Sequence, residues 1–333
     1  MKKLFATIFG ILFTFSAVAC GEPSCAHDYV WRDYGSVHKS KCTKCGEIEA
    51  GSESPHEAID VAVKAPTDTE EGHEMGKICS ICRRILEGCK ILPARTPFKK
   101  KTFGDLNYCE YAPELRSGQK VPLVLFMHGA GERGSDNQAQ LRNAIKQVVH
   151  YESDSPFMKA LVLAPQCPSG EFWTNADHAN GTYLLAETTE TEVLKSVKAL
   201  VDEYRSYDYI DADRVYVIGL SMGGFATFEL LARYPDVFAA AVPICGGGPT
   251  DGVEAMKNIP IYAFHGAKDP IVPYAGTKAM AELIQKAGGE KVLFKTFEKG
   301  YHDIWNKAIT YEGDEQIPAL AEWLFLQKKE RVN

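Results

Sequence analysis

The chain has 333 residues, with 37 Lys and Arg against 44 Asp and Glu, a formal net charge of -7. This length allows two or three domains and one large core, and an acidic balance without a basic stripe argues against a nucleic-acid partner. No Walker loop or dinucleotide fingerprint occurs, which sets aside the common nucleotide-binding folds.

In chain order, the first predicted element is a leader over residues 1–19. Lys2 and Lys3 precede an apolar stretch over 4–19, too short for a membrane span and flanked as a secretory signal is. Ala17-Val18-Ala19 fits a small-residue cleavage site, while Cys20 directly after it also fits a lipoprotein box. The expected location is therefore outside the cytoplasm, secreted or held at the cell surface by lipid on Cys20. A single lipid chain would anchor only weakly.

The next segment, 20–92, is rich in thiols and imidazoles: Cys25, His27, His38, Cys42, Cys45, His56, His73, Cys79, Cys82 and Cys89. Few aliphatic residues accompany them, and a segment this small then needs metal or disulfides to hold together. His38, Cys42, Cys45 and His56 follow H-x3-C-x2-C-x10-H, a spacing in which the Cys pair forms a knuckle and two imidazoles complete a tetrahedron. A second knuckle, Cys79 and Cys82, has Cys25, His27, His73 and Cys89 as candidate partners. Structural zinc is the expectation; a disulfide scaffold is the alternative in an exported chain. Either way the module reads as structural or adhesive, since a closed four-ligand site leaves no position open for catalysis. The acidic stretch 47–74 suits a solvated linker or a metal-held loop.

From 93 to 333 the pattern changes. A hairpin is predicted around 103–111, followed by apolar runs at 121–127, 160–164, 215–218, 238–244, 260–264 and 292–297. Near-continuous apolar strands alternating with helices belong to a mostly parallel sheet covered on both faces, an α/β fold. The segment 187–204 carries Val193, Leu194, Val197, Leu200 and Val201 at helical spacing. The other predicted helices are 225–233, 277–287 and 320–326.

Within this region Gly219-Leu220-Ser221-Met222-Gly223 joins a predicted strand to a predicted helix. That is the setting of a nucleophile elbow, in which small flanking residues let a strained turn lift a serine hydroxyl clear of the sheet. Ser221 is the candidate nucleophile. A carboxylate and an imidazole follow in the order such sites use: Asp269 just past the strand 260–264, and His302 just past the strand 292–297. His128 and His265 each precede a glycine at a strand end and read as turn braces. Asp303 points more naturally away from the His302 ring, and Asp251 on a Gly-rich loop is a rival acid. Oxyanion donors are expected from the N-H of Met222 and from Ala130 or a neighbour, in His128-Gly129-Ala130-Gly131-Glu132-Arg133-Gly134. Cys109, Cys167 and Cys245 read as buried or partly paired.

These motifs carry a resemblance. Residues 98–326 resemble the α/β-hydrolase superfamily. Within it, His128 to Gly134, the phrase Ala164-Pro165-Gln166-Cys167-Pro168-Ser169-Gly170-Glu171-Phe172-Trp173, the elbow, and Tyr301 to Trp305 are similar to secreted feruloyl and acetyl-xylan esterase-like enzymes. They are equally similar to the related predicted-peptidase and phospholipase/carboxylesterase groups. The N-terminal segment resembles Cys/His modules of bacterial surface proteins. The resemblance implies a serine esterase without a catalytic cofactor, acting on a small-molecule or polysaccharide ester. It also implies that Trp173 and Trp305 line an acyl or sugar pocket, the alternative being aromatics packed beneath a loop. A serine peptidase with the same triad and a noncatalytic surface-binding protein are the rival functions.

Overall fold

The computed structural model describes residues 26–65, 72–92, 97–149 and 155–329; the predicted leader, Cys20 and Cys25 lie outside the described residues. Two compact units divide the chain, one of residues 26–64 and 73–91, the other from Leu92 onward.

The larger unit is built on an eight-stranded sheet: β1 (Lys99–Phe103), β2 (Leu106–Tyr111), β3 (Val121–Met127), β4 (Leu161–Pro165), β5 (Ile210–Leu220), β6 (Ala240–Ile244), β7 (Ile261–Gly266) and β8 (Val292–Phe297). Their order is β8-β7-β6-β5-β3-β4-β2-β1. From β4 to β8 every pairing is parallel, whereas β1 and β2 form an antiparallel hairpin and β2 lies antiparallel to β4. Strand β3 shows why the sheet is covered twice. Leu123, Leu125 and Met127 enter one core while Val124 and Phe126 enter the other, because successive side chains alternate across a strand. The first core is completed by α1 (Glu192–Arg205), α2 (Met222–Arg233) and α3 (Tyr274–Lys286), the second by α4 (Leu320–Leu326).

Element boundaries differ from the sequence reading where local chemistry overrides periodicity. The helix expected over 187–204 begins at Glu192, because the Thr191 hydroxyl accepts from Leu194 N-H at 3.1 Å and caps it. The hairpin begins earlier than expected, at Lys99. Its first strand carries three exposed lysines, which hide it from an apolar pattern and protect a sheet edge from pairing with other chains.

The smaller unit has short antiparallel strands and one construction used twice. Strand Tyr29–Asp33 pairs with Val37–Cys42, placing Tyr29 opposite Cys42; Ala58–Val61 pairs with Gly76–Cys79, placing Ala58 opposite Cys79. Gly46 N-H donates to Cys42 O (3.0 Å) as Arg83 N-H does to Cys79 O (3.2 Å), and Thr43 N-H donates to Asp28 O (2.9 Å) as Ser80 N-H does to Glu57 O (2.9 Å). The residue after each second cysteine has a positive φ, 80° at Gly46 and 65° at Arg83. The second copy thus occupies part of the acidic stretch expected as linker or loop.

In the larger unit the β5–α2 junction is tightly packed. A Cβ at Gly219 would lie 2.0 Å from the Gly223 carbonyl oxygen, and one at Gly223 would lie 2.0 Å from the Met127 carbonyl oxygen. Gly223→Ala is therefore expected to destabilise this unit by about 1–3 kcal/mol, a drop of several degrees in Tm. Calorimetry of the full chain checks this, and an unchanged transition would show that the junction yields.

Candidate active site

At the C-terminal edge of the sheet, β5 is followed directly by Ser221, whose backbone sits at φ 53°, ψ -118°. Non-glycine residues rarely adopt such a conformation, which costs about 1–3 kcal/mol. The turn is held by Ser221 N-H donating to Ile244 O and by Gly224 N-H donating to Ser221 O, both at 2.8 Å.

Strands β7 and β8, adjacent and parallel, deliver the other two groups from their trailing loops. His302 Nε2 lies 2.9 Å from Ser221 Oγ, and His302 Nδ1 lies 2.7 Å from Asp269 Oδ2. The Asp269 carboxylate is wholly buried. Its Oδ1 accepts from the N-H groups of Ile271 (2.8 Å) and Val272 (3.0 Å), while Oδ2 also meets His265 Nε2 at 3.1 Å. Burial pushes the carboxyl pKa up, but hydrogen bonds from His265, His302 and the two N-H groups outweigh it and hold the group well below the usual carboxylate range. An ionised Asp269 accepts the Nδ1 proton of His302 and so leaves the Nε2 lone pair facing the serine hydroxyl.

The other candidate acids and bases take different parts. His265 is wholly buried, reaching Asp269 and the Val272 carbonyl through Nε2 and Thr277 Oγ1 through Nδ1 at 2.6 Å; it braces the acid. His128 accepts from Cys167 N-H at Nε2 (2.9 Å) and donates from Nδ1 to the Gly129 carbonyl (2.6 Å). Burial pushes its pKa down to about 4. Asp251 accepts from the N-H groups of Leu185 (2.6 Å) and Ala186 (3.0 Å), and so caps a neighbouring turn.

The expected oxyanion residues stand at two element starts. Met222 opens α2, where an N-H has no acceptor within its own helix. Ala130 opens the 3-10 turn Ala130–Glu132. The preceding Gly129 packs on the elbow, since a Cβ there would lie 3.4 Å from Ser221 Cβ and 2.8 Å from Leu220 Cδ1. Buried Gln166 staples this loop, donating to Glu132 O (3.2 Å) and Asp136 Oδ1 (2.7 Å) and accepting from Asn137 N-H (2.7 Å). Nothing in the spacing of the phrase around Gln166 signals this role.

Trp173 requires a correction. It is wholly buried, with its indole N-H donating to His128 O at 3.0 Å and its own carbonyl accepting from Thr191 Oγ1 at 2.7 Å. It packs beneath the loop that begins at His128 and is sealed from a pocket. Trp305 stays beside the site, its ring edge-on to His302 with centroids 5.4 Å apart. Ile271 and Tyr301, 66% and 57% exposed on the loops that carry Asp269 and His302, are apolar groups that sequence reasoning did not select. Cys109, Cys167 and Cys245 are buried free thiols, none of them paired. Cys245 Sγ lies among the donor atoms of Asp269 and His302, and burial pushes its pKa far up, keeping it a neutral thiol.

The smaller unit also regroups its expected ligands. His38, His56, Cys79 and Cys82 come together, while His27 joins Cys42 and Cys45. The set His38, Cys42, Cys45 and His56 therefore does not form. His38 and Cys42 lie four residues apart on one extended strand, about 13 Å at roughly 3.3 Å per residue, too far to share an ion. Neither His73 nor Cys89 belongs to either group.

A family model described as Phospholipase/Carboxylesterase matches residues 114–311. The chain is 34% identical over 146 residues to poly(3-hydroxyalkanoate) depolymerase C of Paucimonas lemoignei, an alignment covering 43% of this chain and 32% of that one. It is 25% identical over 164 residues to a bifunctional acetylxylan esterase/xylanase of Neocallimastix patriciarum, covering 49% and 21%. The chain thus spans less than half the length of either relative. Among solved structures, a thermostable esterase matches with TM-score 0.57 and 26% identity over 90% of both chains.

The buried His128 has a signed consequence for stability. Its pKa is about 4 when folded against an ordinary 6.5, so the unfolded state binds the extra proton between these values. The stability contributed by neutral His128 is complete above pH 6.5 and is lost as pH falls towards 4, by an amount on the order of 3 kcal/mol. Urea midpoints at several pH values are expected to fall across this window, and His128→Gln to flatten the slope; a variant with the wild-type slope would assign it to other groups.

Proposed function

We propose, for a chain that belongs to the phospholipase/carboxylesterase family of the α/β-hydrolase superfamily, that it is an exported serine esterase hydrolysing carboxylic esters through Ser221, His302 and Asp269. The observation that carries this reading is the unbroken hydrogen-bonded chain from Ser221 Oγ through His302 to the ionised Asp269. His302 takes the proton from Ser221 as the oxygen attacks the ester carbonyl, forming a tetrahedral intermediate whose oxyanion faces the N-H groups of Met222 and Ala130. Its collapse breaks the bond to the alcohol, which leaves with the proton from His302, and Ser221 holds the acyl group. Water then repeats the sequence, giving up a proton to His302 and releasing the acid and the free serine.

The names of the two relatives support substrates in which the ester belongs to a polymer, such as an acetylated or feruloylated polysaccharide. Export would bring the enzyme to such a polymer. Exposed Ile271, Tyr301 and half-buried Trp305 offer the acyl or sugar group an apolar surface beside His302.

Ser221→Ala and His302→Ala are expected to lower kcat by about a millionfold, and Asp269→Asn by about 10^4-fold. A fluorophosphonate probe is expected to label wild type and not Ser221→Ala; equal labelling of both would remove Ser221 from the mechanism. In a panel of feruloyl, acetyl, short-chain nitrophenyl and peptide substrates, esters are expected to turn over far faster than amides. Comparable amide cleavage would make the protein a peptidase.

A further inference from the structure

We propose that His38, His56, Cys79 and Cys82 form a closed tetrahedral zinc site that ties the two repeated copies of the smaller unit together, with His38 lent by the first copy to the second. The four donor atoms lie within 4.8 Å of one another. Cys79 Sγ is 3.4 Å from His38 Nδ1, and Cys82 Sγ is 3.4 Å from His56 Nδ1. A tetrahedron with Zn–N of about 2.1 Å and Zn–S of about 2.3 Å has an N···S edge of roughly 3.6 Å, so these separations match one ion at the centre.

The imidazoles are oriented for this task. His56 Nε2 lies 3.1 Å from the Gly35 carbonyl, a group that only accepts, so Nε2 carries the proton and the Nδ1 lone pair faces Cys82. Asp33 Oδ1 lies 3.4 Å from the same Nε2 and is itself held by Arg84 at 2.7 Å. His38 Nε2 meets Ser54 Oγ at 2.7 Å, which leaves its Nδ1 towards Cys79. Outward hydrogen bonds of this kind fix the tautomer and aim of metal-bound histidines. Ile81 N-H points at Cys79 Sγ at 3.4 Å, as Lys44 N-H does at Cys42 Sγ, giving each knuckle a donor that supports a thiolate. Two sulfurs and two nitrogens in tetrahedral array select zinc over hard cations. With all four positions filled from the chain, the ion is structural.

The repeat explains where each ligand comes from. His56 stands to Cys79 and Cys82 as His27 stands to Cys42 and Cys45, with Cys45 Sγ 3.5 Å from His27 Nδ1. His38 is the additional donor, placed four residues ahead of Cys42; the matching position in the second copy is Met75, 70% exposed. Lending therefore runs from the first copy to the second and stops there.

The test uses the purified full chain. Wild type is expected to contain zinc, with X-ray absorption showing mixed sulfur and nitrogen ligation. Relative to wild type, Cys82→Ser and His38→Ala are each expected to lose one equivalent of metal per chain, His38→Cys to retain it with altered cobalt(II) absorption, and Met75→Ala to lose none. Cys45→Ser followed by His38→Ala in the same chain is expected to lower metal further than Cys45→Ser alone. Wild type without zinc, Cys79 and Cys82 recovered as a disulfide after anaerobic purification, or full metal content in His38→Ala would each overturn the proposal.

Discussion

The larger unit depends on one steric constraint, the absence of side chains at Gly219 and Gly223. Because neither position carries a Cβ, α2 can start directly against β5 and press its first turn onto the end of β3, with Gly223 facing the Met127 carbonyl. Three features follow from this contact. Ser221 takes its rare backbone conformation, Met222 presents a helix-start N-H, and the loop after β3 comes to rest on the serine through Gly129. The Ser221 hydroxyl, the first N-H of α2 and the loop after β3 are therefore positioned by the same packing event.

A second organising element is the buried Asp269 carboxylate. A polar chain runs from the Gly246 carbonyl through Thr277 on α3, His265 on β7 and Asp269 to His302 and Ser221. Thr277 sits on α3 and His265 on β7, so the position of the serine's partner is referred back to a helix and a strand. Leaving any of these groups unpaired in a buried setting is costly, on the order of 1–3 kcal/mol. The polar chain consequently holds a single arrangement.

Much of the larger unit was legible in the sequence because its candidate site lies at strand ends. Continuous apolar runs announced the parallel strands, and the runs 215–218, 260–264 and 292–297 were followed by turns or loops carrying Ser221, Asp269 and His302 in order. What stayed hidden depended on side-chain direction. Trp173 follows a loop phrase that looks like a pocket wall, yet its indole N-H finds the His128 carbonyl and it turns inward. The metal-type residues misled for a related reason. His38 is near Cys42 in sequence, but an extended strand separates them, and His38 instead meets Cys79, which lies on a strand of a different sheet. The repeat itself was obscured because the stretch from His56 to Cys79 is eight residues longer than that from His27 to Cys42.

That extra length bears on chain entropy. The approach of His38 to Cys79 closes a loop across 41 positions, and an ion held there would remove much of the freedom of an unfolded segment that has little apolar surface to restrain it. Closure cost grows only with the logarithm of loop length, about 0.6 kcal/mol per doubling, so eight added residues change it by a few tenths of a kcal/mol. A shift of one position between paired strands, by contrast, would turn His38 to the opposite face. The smaller unit is thus tolerant in the spacing between its strands and intolerant in their register.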